Sequence, residues 1–412
     1  MDLDGTLVAT DTLWESVVLA VRNTPGRCPS LVMALGRGRA GFKGALADAV
    51  LPDASTLPYR DPVLDYVRAA RADGRPVYLV TAADQRIADR VAEHLGVFDE
   101  AIGTASGENM KAARKAAFLV ERFGDNGFEY LGDSSADLEV WKRAADATAV
   151  APKGSVLSSL RASKPEAQVL VEPPKGRLRA MVKALRPHQW AKNVLLFLPA
   201  ILAHRYDDPA SMLRVTLAFA CFSLCASSVY VTNDLLDLEQ DRQHRSKRRR
   251  PFASGALDIP TGILLAALTF GVGALTSALF LGLRFTLVLL GYVVITSAYS
   301  VYLKRKMIVD VVTLASLFTY RVIAGGVAAG VALSFWLLAF SMFFFTGLAF
   351  AKRYSELQVL IGSKKASTPG RGYQVQDVNV ITSVGPASGL LGVLVFALYI
   401  NSAEVVQIYP EP

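Results

Sequence analysis

Asn233-Asp234-Leu235-Leu236-Asp237-Leu238-Glu239-Gln240-Asp241 closes a long apolar run that begins near residue 212. On a helix, positions 233, 237 and 241 fall on one stripe, because residues four apart are neighbours, and Asp234 lies three residues from Asp237. Carboxylates grouped in this way repel one another unless a cation joins them. An all-oxygen ligand set suits Mg²⁺, which keeps several waters and bridges to substrate phosphates. The competing reading is an acidic helix end balanced by Arg242, Arg245 and Lys247. Acidic groups at the end of an apolar span are costly to desolvate, which favours the cation. Asn233, Asp234, Asp237 and Asp241 are therefore expected to be metal ligands for a substrate that carries a diphosphate.

Outward from this stretch, the second half of the chain is a series of apolar runs joined by short polar connections. Seven spans are expected, at about 189–206, 212–232, 262–282, 285–303, 308–330, 333–350 and 380–400. Each is near the length that crosses about 30 Å of hydrocarbon. Basic residues sort the connections: Lys183, Arg186 and Lys192 before the first span, Arg242 to Arg250 after the second, Lys304-Arg305-Lys306 after the fourth, and Lys352-Arg353 after the sixth. Excess positive charge marks the cytoplasmic side, so the N-terminus is expected inside. The net charge of +8 is explained by these loops and needs no nucleic-acid partner. Three cysteines, with Cys221 and Cys225 inside one apolar run, make no disulfide framework.

Two further polar groups mark the membrane half. Asp310 and Arg321 are eleven residues apart, about three turns, and share a helix face. An arginine that deep costs roughly 2.5–3.5 kcal/mol on insertion scales, so Arg321 is expected to face the bundle interior and meet an anion; helix pairing is the alternative. Lys352-Arg353-Tyr354-Ser355-Glu356 closes the sixth span. Taken together, these residues resemble the UbiA superfamily of intramembrane prenyltransferases over about residues 180–412. Leu185-Arg186-Pro187-His188-Gln189-Trp190-Ala191-Lys192-Asn193, Lys247-Arg248-Arg249-Arg250-Pro251, Arg321-Val322-Ile323-Ala324-Gly325-Gly326 and Lys352-Arg353-Tyr354-Ser355-Glu356-Leu357-Gln358 look closest to its decaprenyl-phosphate phosphoribosyltransferase branch. The superfamily has nine spans, so two C-terminal helices are expected beyond the seventh.

The first half reads as α/β. Short β-rich runs at 76–81, 128–131, 147–150 and 168–171 alternate with helical patterns, which implies a mostly parallel sheet with catalytic groups at the carboxyl ends of its strands. Four polar signals fall there in order: Asp2-Leu3-Asp4-Gly5-Thr6, Thr81, a lysine (Lys115, with Lys111 as the alternative), and Gly132-Asp133-Ser134-Ser135-Ala136-Asp137. This series resembles the haloacid dehalogenase (HAD) superfamily of aspartate-nucleophile phosphatases over about residues 1–150. The resemblance implies Asp2 as nucleophile, Asp4 as acid and base, Thr81 and Lys115 on the phosphoryl oxygens, and Asp133 and Asp137 with Asp2 around Mg²⁺. One departure stands out. The family places a buried strand before the nucleophile, where this chain has only Met1, so either a misassigned or truncated start or a missing central strand is expected. Met1 is followed directly by Asp2, with no secretory signal.

The fold class is thus multidomain: a Rossmann-like α/β HAD domain at 1–174 with a small helical cap at about 13–71, a linker at 175–185, and an all-α polytopic transmembrane bundle at 186–412. The expected activity uses a Mg²⁺-bound diphosphate co-substrate and a polyprenyl lipid. Asp237, Asp241 and Asp310 would be central to the chemistry, and Lys192, Arg242, Arg249, Lys304, Arg321, Lys352 and Arg353 would bind substrate, with Asp310 also holding metal. The leading expectation is transfer of 5-phosphoribosyl to polyprenyl phosphate at the cell membrane, with the phosphatase acting on the 5-phosphate. Prenylation of an aromatic acceptor is a second reading, and a non-catalytic membrane scaffold is a third.

Overall fold

The computed structural model describes residues 1–105, 110, 112–362 and 372–402; Lys111 lies outside them. The chain divides into two compact units, Met1–Ala184 with Val231–Leu265, and Leu185–Tyr230 with Ala266–Pro412. Segment Val231–Leu265, expected as part of the membrane domain, therefore clusters with the α/β half.

In the first unit, helices α1 (Thr12–Asn23), α2 (Cys28–Ala34) and α3 (Gly38–Ala49) precede α4 (Asp61–Ala72). Strands β1 (Tyr78–Asp84) and β2 (Glu100–Thr104) flank α5 (Gln85–Leu95). Then come α6 (Ala113–Phe123), β3 (Glu129–Gly132), α7 (Leu138–Trp141), β4 (Asp146–Val150), α8 (Gly154–Ser163), β5 (Gln168–Val171) and α9 (Arg177–Leu185). All strand pairings are parallel, β1 with β2 and β3–β4–β5 in that order. Strand β2 was not expected from the sequence.

The central strand is not simply missing. The Val80 amide donates to the Met1 carbonyl at 2.9 Å, and the Asp2 amide donates to the Leu131 carbonyl at 3.0 Å. Met1 and Asp2 thus stand between β1 and β3 with the hydrogen bonding of a parallel strand. Leu3, Leu7 and Val8 are wholly buried in the core beneath them, with Leu79 and Val63. This packing fixes Asp2 at the sheet's carboxyl edge.

In the second unit, α10 (Leu198–Leu202) follows a 3₁₀ run, Pro187–Phe197. Among the described residues, six helical segments are long and apolar enough to span a membrane, at Pro209–Leu236, Ile259–Phe280, Leu283–Arg305, Met307–Ala329, Phe335–Gly362 and Val375–Ile400. Within these lie α11 (Pro209–Leu236), α13 (Ile259–Phe280), α14 (Leu283–Val301), α15 (Met307–Ala329), α16 (Phe335–Gly362) and α17 (Val378–Ile400); α12 (Leu238–Gln243) follows α11.

The first expected span differs. Residues 189–206 form a 3₁₀ run and then the short helix α10 instead of one continuous α-helix. Pro187 and Pro199 open the 3₁₀ run and α10, where a missing amide is tolerated. At about 2.0 Å per residue in the 3₁₀ run and 1.5 Å in α10, the pair still extends about 30 Å. Gly325 of α15 sits against this segment: a Cβ there would lie 2.2 Å from the Leu196 carbonyl oxygen. Cys221 and Cys225 are buried and free, packed with Phe222 and Leu289 in the unit's main apolar cluster.

Candidate functional sites

At the carboxyl edge of the α/β sheet, one ligand atom from each of Asp2, Asp133 and Asp137 lies within 4.8 Å of the others. Among the described residues this is the one acidic group so gathered. Lys115, buried on α6, donates to the Tyr130 hydroxyl at 2.9 Å and stands 3.0 Å from Asp2 Oδ1. Tyr130 in turn donates to Asp137 Oδ1 at 3.0 Å. Asp137 Oδ2 accepts from the Asp133 and Ser134 amides and the Ser134 hydroxyl, which ties the loop after β3 into one shape. Tyr130 was not singled out from the sequence. Its position inside the FEYL strand reads only as core.

Gly5 allows the loop after Asp2 to approach. Its φ is +75°, and a Cβ there would lie 2.2 Å from Asp133 Oδ2. Thr6 donates to Asp133 Oδ1 at 3.4 Å. Asp4 accepts from the Thr12 amide at 2.7 Å, at the start of α1. Thr81 is buried, and its hydroxyl accepts from the Ala83 amide.

Burial raises the pKa of the Asp2 carboxyl, against the nearby Lys115 ammonium. Burial, with Asp11 close by, pushes Asp4 up to about 7. A carboxyl titrating near neutrality can both give and take a proton. Burial and the neighbouring Asp137 and Asp2 charges push Asp133 up to about 8. Crowded carboxylates of this kind favour a cation, and hard oxygen donors from Asp2, Asp133 and Asp137 fit Mg²⁺. The group opens into a cavity of about 1040 Å³, which is also lined by cap residues and by Gly255, Ala256 and Asp258.

The acidic stretch that closes α11 lies in the same unit. Asp237 interrupts the helix, with φ −99° and ψ 16°, although its amide still donates to Asn233 and its carbonyl accepts from the Asp241 amide. Asp234 and Asp241, two turns apart, share Arg250: one guanidinium nitrogen stands 3.0 Å and 2.6 Å from their oxygens. The stripe expected through 233, 237 and 241 thus gives way to a pairing of 234 with 241. Asp237 instead meets Arg22 of α1 at 3.4 Å, and Arg22 also donates to the Leu236 carbonyl at 2.7 Å. Arg242 forms a buried two-pronged pair with Glu15 of α1. Arg249 is exposed and its carbonyl accepts from Lys183. Arg22 and Glu15 were not foreseen, since more than two hundred residues separate each from its partner. In the sequence Arg250 reads only as one member of a basic run. The donors of this stretch are hard oxygens of the kind Mg²⁺ takes, and here guanidinium groups pair with those of Asp234, Asp237 and Asp241.

In the second unit, Asp310 is wholly buried and fully engaged. Arg353 Nε donates to Oδ2 at 2.5 Å, Tyr299 donates to Oδ1 at 2.7 Å, and Tyr373 donates to Oδ2 at 2.8 Å. Arg353 also reaches Glu356 at 2.7 Å. Arg353, expected on substrate, therefore binds Asp310. Arg321 is buried among neutral acceptors: Asn193 Oδ1 at 3.0 Å, the Tyr292 hydroxyl at 2.8 Å and the Leu317 carbonyl. The rings of Phe222, Tyr292 and Phe318 surround its guanidinium. Lys192 donates to Gln189 at 2.5 Å. Lys304 is half-buried in the turn after α14, and Lys352 is exposed on α16.

Residues 193–369 match the UbiA prenyltransferase family, and residues 1–142 match haloacid dehalogenase-like hydrolases. The uncharacterized protein y4nM of Sinorhizobium fredii is 39% identical over 414 residues, covering 100% of this chain and 80% of that protein. Nodulation protein NoeC of Azorhizobium caulinodans is 34% identical over 225 residues, 55% of this chain and 73% of NoeC. Decaprenyl-phosphate phosphoribosyltransferase of Mycobacterium tuberculosis is 38% identical over 196 residues, 46% of this chain and 64% of that enzyme.

Proposed function

Since the chain belongs to the UbiA prenyltransferase family and carries a haloacid dehalogenase-like domain, we propose that it transfers 5-phosphoribosyl from phosphoribosyl diphosphate to a polyprenyl phosphate. The fused phosphatase then acts on the 5-phosphate that the product retains. The observation that carries this reading is the 38% identity to decaprenyl-phosphate phosphoribosyltransferase across 196 residues of the UbiA part. The work would take place at the cell membrane, with the N-terminal domain and the acidic stretch on the cytoplasmic side, a reading that the basic connections support.

In the transfer, the bond between ribosyl C1 and the diphosphate oxygen breaks, and a lipid phosphate oxygen bonds to C1. The ribosyl carbon becomes cationic as the leaving group takes the electron pair. Asn233, Asp234, Asp237 and Asp241 would hold one Mg²⁺ ion, which both families generally use and which would supply charge neutralisation for the departing diphosphate; Asp310 would contribute to a second metal site. For that, Arg22 and Arg250 must release their carboxylates. Lys192, Arg249, Lys304 and Lys352 are the candidates for phosphate oxygens, as preorganised positive charge, and Arg242 joins them only if it leaves Glu15. Arg321, buried with neutral acceptors among the described residues, suits the acceptor phosphate. Arg353 orients Asp310.

In the phosphatase, Asp2 attacks phosphorus, Asp4 protonates the leaving oxygen, and Thr81 and Lys115 hold the phosphoryl oxygens. A doubly labelled donor tests the transfer. Label in the ribosyl carbons should enter the lipid fraction while label in the diphosphate leaves as free diphosphate. Both labels staying in the aqueous phase would refute it.

A further inference from the structure

The cavity above Asp2 is larger than a phosphorylated pentose needs. Its 1040 Å³ stands at the top of the usual range of about 300–1,000 Å³ for sites that take a drug-sized ligand. Its charged end is built by Asp2, Asp4, Lys115, Asp133 and Asp137, and Arg60 lies beside them. The cap end is apolar, with Leu13, Trp14, Val17, Leu31, Phe42 and Leu46 along it. This apolar lining does not stop inside. Val21, Val32 and Leu35 also line the cavity while being 48%, 64% and 57% exposed. Exposed side chains that continue an apolar wall form a mouth through which an apolar group can enter.

From this continuity we propose that the phosphatase site takes an amphiphilic phosphomonoester, a sugar phosphate joined to an apolar chain, in preference to a free sugar phosphate. The proposal rests on the phosphatase reading of the same site. The phosphate sits at Asp2 and Lys115, and the first part of the apolar chain lies along α1 to α3 and leaves past Val32. In the reaction an Asp2 oxygen bonds to phosphorus, the bond from phosphorus to the sugar oxygen breaks, and Asp4 gives that oxygen its proton. Water then attacks the aspartyl phosphate, Asp4 takes back a proton, and inorganic phosphate leaves.

The test compares phosphate release by the full chain in detergent from two probes, methyl and decyl ribofuranoside 5-phosphate, both below micellar concentrations. The decyl probe should have kcat/KM about tenfold higher or more, as apolar contact of several methylenes allows. Val32→Glu, at an exposed position that should fold normally, should bring that ratio close to one. Equal kcat/KM for the two probes in the unaltered protein would overturn the proposal and leave the phosphatase reading standing. Phosphate release that is unaffected by Asp2→Asn, or no release from either probe, would overturn both.

Discussion

At Gly5 the chain takes a conformation that side chains rarely adopt, in the one place where Asp133 leaves no room for a Cβ. Gly5→Ala should therefore cost roughly 1–3 kcal/mol, read as earlier thermal inactivation of phosphate release, and should slow the reaction by shifting Asp133. A variant with unaltered rate and inactivation temperature would show that the loop has slack. At this scale the gathering of Asp2, Asp133 and Asp137 was legible because each sits next to a signal that chemistry constrains: two aspartates and a glycine at one strand end, and two aspartates four apart at another. Their partners were not legible. Tyr130 looks like any buried strand residue, and Arg22 like any cation late in a helix. Arg353 was read as a substrate ligand because it ends a span, yet the carboxylate it meets is 43 residues away, which no local pattern encodes.

Between elements, the pair of Asp310 on α15 and Arg353 on α16 is almost wholly shielded, at 0% and 1% side-chain exposure. Removing one member of such a pair leaves an uncompensated buried charge, which costs about 3–5 kcal/mol. Arg353→Met should lower thermal stability in detergent accordingly, and adding Asp310→Leu should restore part of the loss. Strictly additive effects of the two substitutions would mean that the pair does not couple the helices. Strands β1, β3, β4 and β5 and most long helices follow from period and turn residues, so they could be read in advance. The segment at 187–202 could not. An apolar run of about 18 residues looks the same whether its hydrogen bonds close as 3₁₀ or α turns, and the choice here accompanies contacts with α15, where Gly325 removes the side chain that would block Leu196. Met1 and Asp2 likewise take the hydrogen bonds of a central strand in a stretch too short to show strand periodicity.

For the whole molecule, the segment Val231–Leu265 gathers with the α/β half, through Arg22–Asp237 and the buried Glu15–Arg242 pair. Composition could not reveal this, because the segment lies between two apolar spans and reads as their loop. The N-terminal domain and the Lys247–Arg250 run are therefore expected on one side, the cytoplasm. In sealed, right-side-out cells, single cysteines placed in the exposed part of α8 and at Arg248 should both resist a membrane-impermeant thiol reagent until the cells are opened. Labelling of either one in intact cells would refute this topology.

The most direct measurement incubates membranes containing the protein with Mg²⁺ and phosphoribosyl diphosphate labelled in the ribose, with and without polyprenyl phosphate, beside Asp237→Ala. The account predicts a labelled lipid that forms only when polyprenyl phosphate is added and that is lost, by on the order of a hundredfold or more, in Asp237→Ala. Absence of any labelled lipid, from protein that instead joins a prenyl diphosphate to an aromatic acid, would contradict it.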